Sequence, residues 1–160
     1  MSGYLTLKWV HIVSSVLLVG TGFGTAFFFY STNRSGNVHA IAVVTRLVVR
    51  ADWWFTTPAA VVQPVTGVAM AWLAGWPLST PWLAMSLGLY MLAGVCWLPV
   101  VKLQLCMARW AAEAARNGSE LPAEYRSSAR RWERLGYPAF ASMLAVFALM
   151  VAKPSSWPWG

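Results

Sequence analysis

Residues 53–101 read WWFTTPAAVVQPVTGVAMAWLAGWPLSTPWLAMSLGLYMLAGVCWLPVV and contain no Asp, Glu, Lys or Arg. Only Gly75-Trp76-Pro77-Leu78-Ser79-Thr80-Pro81 interrupts the apolar run, and its glycine and prolines favour a turn. A membrane crossing takes about 20 residues, so the stretch predicts two transmembrane helices joined by a tight hairpin. Outward from it, residues 12–33 form another uncharged run long enough to span, and residues 136–152 a shorter one at the lower edge of the range of about 17 to 25. The expectation is an all-α transmembrane four-helix bundle forming one domain, with spans near residues 6–30, 52–74, 81–103 and 136–152. Composition agrees: 58% of residues are hydrophobic and 11% charged, with mean hydropathy +0.54. Soluble domains carry about 25% charged residues.

Orientation follows from the basic residues. Every Lys and Arg except Lys8 and Lys153 falls in residues 31–52 or 102–135, which lie on one side of a four-span topology. By the positive-inside rule these segments face the cytoplasm and both termini face away from it. The net charge of +7 then reads as topology plus attraction to anionic lipid heads, not as a nucleic-acid surface. Aromatics suit this layout, because amphipathic rings prefer the headgroup level. Tyr4, Trp9, Trp72, Trp76, Trp82, Trp157 and Trp159 form the outer belt, and Tyr30, Trp53, Trp54, Trp110, Trp132 and Tyr137 the inner one. The first run is expected to be retained, since it is too long for a secretory signal and Phe27-Phe28-Phe29-Tyr30 offers no small-residue cleavage site.

Three helices are expected to extend beyond the bilayer. The second begins near Val38 and runs to Leu73; the third continues past Lys102 until Asn117-Gly118 stops it, and Pro122 allows a restart. In the resulting hairpin Arg126, Arg130, Arg131 and Arg134 partly alternate with Glu124 and Glu133, the pattern of a solvated or headgroup-facing helix. Pro58 and Pro64 each remove a backbone donor and free a carbonyl, which neighbouring Thr or Gln side chains or waters must satisfy. The second span is therefore kinked, and it serves as a packed kink or as the wall of a cavity. Gly20 and Gly24 have the GxxxG spacing that lets helices approach closely, inside the chain or between copies, so a homo-oligomer stays open. Cys96 and Cys106 share one helix about 15 Å apart and cannot pair with each other.

Two polar residues stand where polarity is expensive, and an ionisable group in a bilayer is by default a functional candidate. His11 lies about one turn inside the outer interface, with Ser15, Leu18, Gly22 and Phe29 on its face. Gly22 leaves room there for a flat ring. A neutral imidazole is a good axial ligand for haem iron, its other nitrogen fixed by a hydroxyl or carbonyl such as Ser14 or Ser15 supplies. The alternative is a structural histidine bonded to a neighbouring helix. A second ligand at that depth would be Met70, Met85, Met150, water or a residue of another subunit, and Thr66 would sit on the pocket wall. His39 is a loop residue on the far side. Asp52 sits with Arg46, Arg50 and Lys102 at the inner interface, where it forms a paired clamp with Lys102, or else the group serves as a proton relay or an anchor for cofactor carboxylates with Arg46, Arg50 and Lys102 as the cationic partners. No soluble-enzyme motif is present.

The stretches Leu7-Lys8-Trp9-Val10-His11, Asp52-Trp53-Trp54-Phe55-Thr56-Thr57-Pro58-Ala59, Gln63-Pro64-Val65-Thr66-Gly67 and Leu135-Gly136-Tyr137-Pro138-Ala139-Phe140 resemble the bacterial integral membrane family called domain of unknown function 2269. The resemblance covers nearly the whole chain, implies a multi-pass membrane protein and implies no activity. More distantly, Lys8-x-x-His11-Ile12 is similar to the first helix of HemJ-type protoporphyrinogen oxidases and CopD-like membrane proteins, whose histidine is implicated in haem or metal binding. That similarity implies haem at His11. It does not imply the oxidase activity, because Phe29 and Tyr30 stand where those proteins have a second histidine.

The expectation from sequence is thus an inner-membrane bundle binding haem b through His11, for electron transfer or haem-linked oxidation. The candidate cofactor residues are His11, Ser15, Gly22, Thr66, Met70, Arg50, Asp52 and Lys102, with membrane lipids as the other partner. The alternative is a cofactor-free proton-coupled transporter or an assembly subunit of a membrane complex.

Overall fold

A computed structural model describes residues 3–154 and 156. Trp157 and Trp159 of the expected outer belt lie outside the described residues. The chain forms α1 (Gly3–Ser35), α2 (Val38–Ala51), a π-helical stretch (Asp52–Thr56), α3 (Thr57–Leu73), α4 (Pro81–Asn117) and α5 (Ala123–Ala152). Because α2, the π stretch and α3 are continuous, the architecture is the expected four-helix bundle. By length and apolarity α1, α4 and α5 can each cross a membrane, and the segment from Asp52 to Leu73 is about as long as one crossing requires.

The helix boundaries follow local chemistry. Gly36 takes φ +67°, a value L side chains rarely adopt, and Asn37 then caps α2 by accepting from Ala40 N at 3.0 Å. Gly118, also left-handed, ends α4, and Pro122 precedes the first residue of α5. His39, expected in a loop, is exposed on the first turn of α2.

The irregularity of the second helix takes a specific form. Thr57 N–H donates to Asp52 C=O, one residue further back than in an α-helix. In a regular helix the Pro58 ring would collide with the carbonyl one turn before it, and the wider turn relieves that collision. The carbonyl that Pro64 frees, on Ala60, accepts the Tyr90 hydroxyl at 2.7 Å. A tyrosine of α4 thus takes the role expected of Thr, Gln or water.

Packing divides the bundle. α1 lies along α3, α4 along α5 and α2 along α4, while α1 and α5 meet lightly and α3 scarcely touches α4 or α5. Phe29, Ile41, Val48, Val100, Met107, Tyr125 and Trp132 make a core at the basic end. A smaller cluster of Ala71, Trp82 and Leu83, with Met150 against it, closes the opposite end. Between the ends the α1–α3 and α4–α5 pairs are bridged at few points, among them Phe23 against Phe140, with ring centroids 4.3 Å apart, and Tyr90 against Ala60. At the basic end Tyr125 donates to Asn33 and also hydrogen-bonds Thr45, tying the tip of α5 to α1 and α2, and burial pushes its phenol up to about 12.

Three expectations are corrected here. Trp82 and Trp132, assigned to the interfacial belts, are buried core residues, unlike the outward-facing Trp53, Trp54 and Trp72. A Cβ at Gly20 or Gly24 meets nothing within 4 Å, so that face packs on no other helix of the described chain. Asp52 and Lys102 form no clamp: among the described residues the ion pair within reach is Arg126–Glu120 at 3.7 Å, and Lys102, Arg46 and Arg50 are exposed.

Candidate functional site

Two polar clusters occupy the membrane-length part of the bundle. The first joins α1 to α3. The Thr66 hydroxyl donates to Val62 C=O at 2.7 Å, so its oxygen accepts from His11 Nδ1–H at 2.8 Å. His11 Nε2 then carries the lone pair and accepts from Gln63 Nε2 at 3.1 Å. The second amide hydrogen of Gln63 goes to Ser15 Oγ at 2.9 Å, and Ser14 donates to Gln63 Oε1. Ser15 completes the set by donating to His11 C=O at 3.0 Å. Every donor has an acceptor, which is what buried polar groups in an apolar setting require.

This network matters for haem. Iron needs a free imidazole nitrogen, and here both nitrogens are engaged. The imidazole also fills the space beside Gly67, where a Cβ would stand 3.2 Å from His11 Cε1. Gly22, expected to give a flat ring room, faces Phe140 of α5 instead, at 3.6 Å from a Cβ built there. With no nitrogen free, His11 has nothing to share with Met70, one turn after Thr66. Met150 packs in the far core cluster. The residues present therefore do not fit haem in this arrangement, and the His11 cluster reads as an interhelical lock. Among the described residues no three His, Cys, Asp or Glu side chains gather as a metal site.

The second cluster surrounds Asp52. The π stretch carries its carboxyl inward, where it is 7% exposed. Thr56 Oγ1 donates to Asp52 Oδ1 at 2.8 Å, and the Gln104 side chain of α4 hydrogen-bonds the same carboxyl. Sequence reasoning chose Lys102 and missed Gln104. The signal was periodicity: Val100, Gln104, Met107, Ala111 and Ala114 form the buried stripe of α4, and Lys102 lies about 200° round the helix from Gln104.

Asp52, Thr56 and Gln104 belong to the wall of a cavity of about 400 Å³ between the two helix pairs. Apart from Thr25 and Thr57 its other walls are apolar or aromatic, from Leu18, Val19 and Gly22 on α1 through Ala60 and Val61 on α3 to Tyr90, Trp97, Trp132 and Phe140. Of the residues expected at a cofactor, Gly22 and Asp52 come together here, Ser15 and Thr66 join His11, and Arg50 and Lys102 join neither cluster. Trp132 is 8% exposed, and its indole N–H has no hydrogen-bond partner among the described residues. A second hollow of about 820 Å³ on the outside of α3, bounded by Pro64, Trp72 and Trp76, is open and has no ionisable side chain of the described residues on its wall.

No curated protein and no solved structure matches the chain, so the distant similarity to HemJ-type and CopD-like proteins gains no support. The family of predicted integral membrane proteins called DUF2269 matches residues 5–154, and the chain belongs to that family.

Proposed function

We propose that the protein binds a small lipophilic molecule inside the membrane, in the cavity between the α1–α3 and α4–α5 pairs, with the polar end of that molecule at Asp52 and Gln104. One observation carries this reading: an apolar space of about 400 Å³ whose wall includes a buried carboxyl. Ligand sites take this form, mostly apolar with a few placed polar groups. The His11 network fastens α1 to α3 and keeps one wall of the space in place. The reading belongs with the cofactor-free transporter class and takes haem from the centre of the account.

Native mass spectrometry of the purified protein in mild detergent tests it. Gly94 lines the cavity and a Cβ there meets nothing within 4 Å, so the side chain of Gly94→Leu starts in open space and takes up room at the cavity wall. The expected result is a bound small lipophile on the wild type that Gly94→Leu lacks; equal occupancy in both proteins refutes the site. The haem expectation makes a different prediction, a Soret band that shifts on reduction and disappears in His11→Ala. On the present reading His11→Ala loses stability without any change in visible absorption. The placement of the basic end in the cytoplasm and of both termini outside it rests on the arginine distribution, and terminal reporter fusions test it.

A further inference from the structure

Resting on that reading, we infer that the cavity recognises an organic cation: a lipophilic amine or related protonated nitrogen that pairs with Asp52. The carboxyl is buried and receives neutral hydrogen bonds from Thr56 and Gln104, but no cationic side chain of the described residues lies within 4.0 Å of it. The basic residues nearest in sequence do not serve. Arg50 lies two residues before Asp52 and is exposed, and Lys102 stands off the buried stripe of α4.

A buried carboxylate without a countercharge is costly, and a ligand that brings the countercharge removes that cost. An anion would be repelled, and a neutral ligand would leave the carboxyl either charged and unpaired or held in its protonated form. The rest of the wall suits a cation as well. Tyr90, Trp97, Trp132 and Phe140 bring aromatic rings to the same space. Aromatic faces attract ammonium groups through the ring quadrupole, most strongly where water is excluded. Carboxyl and rings together supply the two kinds of contact an alkylammonium group uses, and the apolar remainder suits its hydrocarbon body.

Access also fits a lipophilic ion. Val61 of α3 and Met91, Val95 and Leu98 of α4 line the cavity yet are 63–65% exposed on the outer surface of the helices. The gap between α3 and α4 therefore opens sideways, towards lipid. An amphiphilic cation held at the headgroup level can reach Asp52 without crossing the bilayer.

A matched trio of probes tests the charge, using the full chain in lipid nanodiscs at neutral pH with empty discs subtracted. Aminoadamantane, adamantanol and adamantane carboxylate share one body and differ in the head. The wild type is expected to bind the amine at least about tenfold more tightly than the alcohol and the carboxylate weakest. Asp52→Asn should bind amine and alcohol alike, and Gly94→Leu should bind none. Equal affinity of the wild type for amine and alcohol, or a preference for amine that survives Asp52→Asn, overturns the cation while leaving the cavity reading in place. If no probe binds, or if Gly94→Leu binds as the wild type does, the cavity reading falls and the cation with it.

Discussion

Gly67 and His11 are matched in volume: the imidazole occupies the space a methyl group would take on α3, at 3.2 Å. Gly67→Ala should therefore force the ring off Gln63 or Thr66 and cost about 1–3 kcal/mol, read as a lower thermal midpoint in detergent. The same reasoning separates Gln104 from Lys102 on α4. Gln104→Leu should cost about 1–3 kcal/mol, because the Asp52 carboxyl loses a partner in a buried site, whereas Lys102→Met on the exposed surface should stay within about 0.5 kcal/mol of wild type. At this scale the sequence was half legible. His11 and Asp52 stand out because polar groups are rare within membrane-length apolar runs, but their partners are ordinary residues. Thr66, Gln63 and Gln104 acquire meaning only once the facing helix surfaces are known, and uncharged polar side chains do not announce which helix they address.

Helices α3 and α4 are joined by a repair. Pro64 cannot donate to Ala60, and Tyr90 donates in its place. Tyr90→Phe should leave that carbonyl unsatisfied and cost about 1–3 kcal/mol. In a Pro64→Ala background, where the helix supplies its own donor, the cost should fall well below that. A double-mutant cycle on thermal stability measures the coupling, and additivity of the two changes would refute the repair. Element boundaries were readable because they rest on short-range chemistry: Asn37, the Asn117-Gly118 pair and Pro122 each act on their immediate neighbours. The π-helical stretch was not. Two prolines foretell a disturbed helix, but whether it bends or widens depends on what the inward-turned Asp52 and Thr56 meet across the bundle.

The molecule as a whole is two helix pairs fastened at the basic end, where Asn33, Thr45 and Tyr125 join three helices. The phenol of Tyr125 ionises near pH 10 in an unfolded chain and at about 12 here. Folding thus favours its protonated form: this contribution is intact below about pH 10 and is lost as pH rises from there towards 12. Tyr125→Phe should lower the thermal midpoint at neutral pH and remove that part of the alkaline decline, as a pH series on both proteins will show. The bundle, its hairpins and its charge asymmetry follow from hydropathy and arginine placement. The cavity does not, because Gly22, Asp52, Gly94, Gln104 and Trp132 are far apart in sequence and meet only through the order of helices round the bundle.

The sideways gap between α3 and α4 changes what selectivity can rest on. A ligand that arrives from lipid leaves surroundings as oily as the cavity walls, so the transfer releases almost no hydrophobic free energy, just as lipid gives helices no such reason to associate. Oiliness concentrates many molecules in the bilayer without distinguishing among them. Discrimination then falls on shape and on the few polar atoms around Asp52, and affinities should be compared per lipid-dissolved molecule, with the water–membrane partition coefficient divided out.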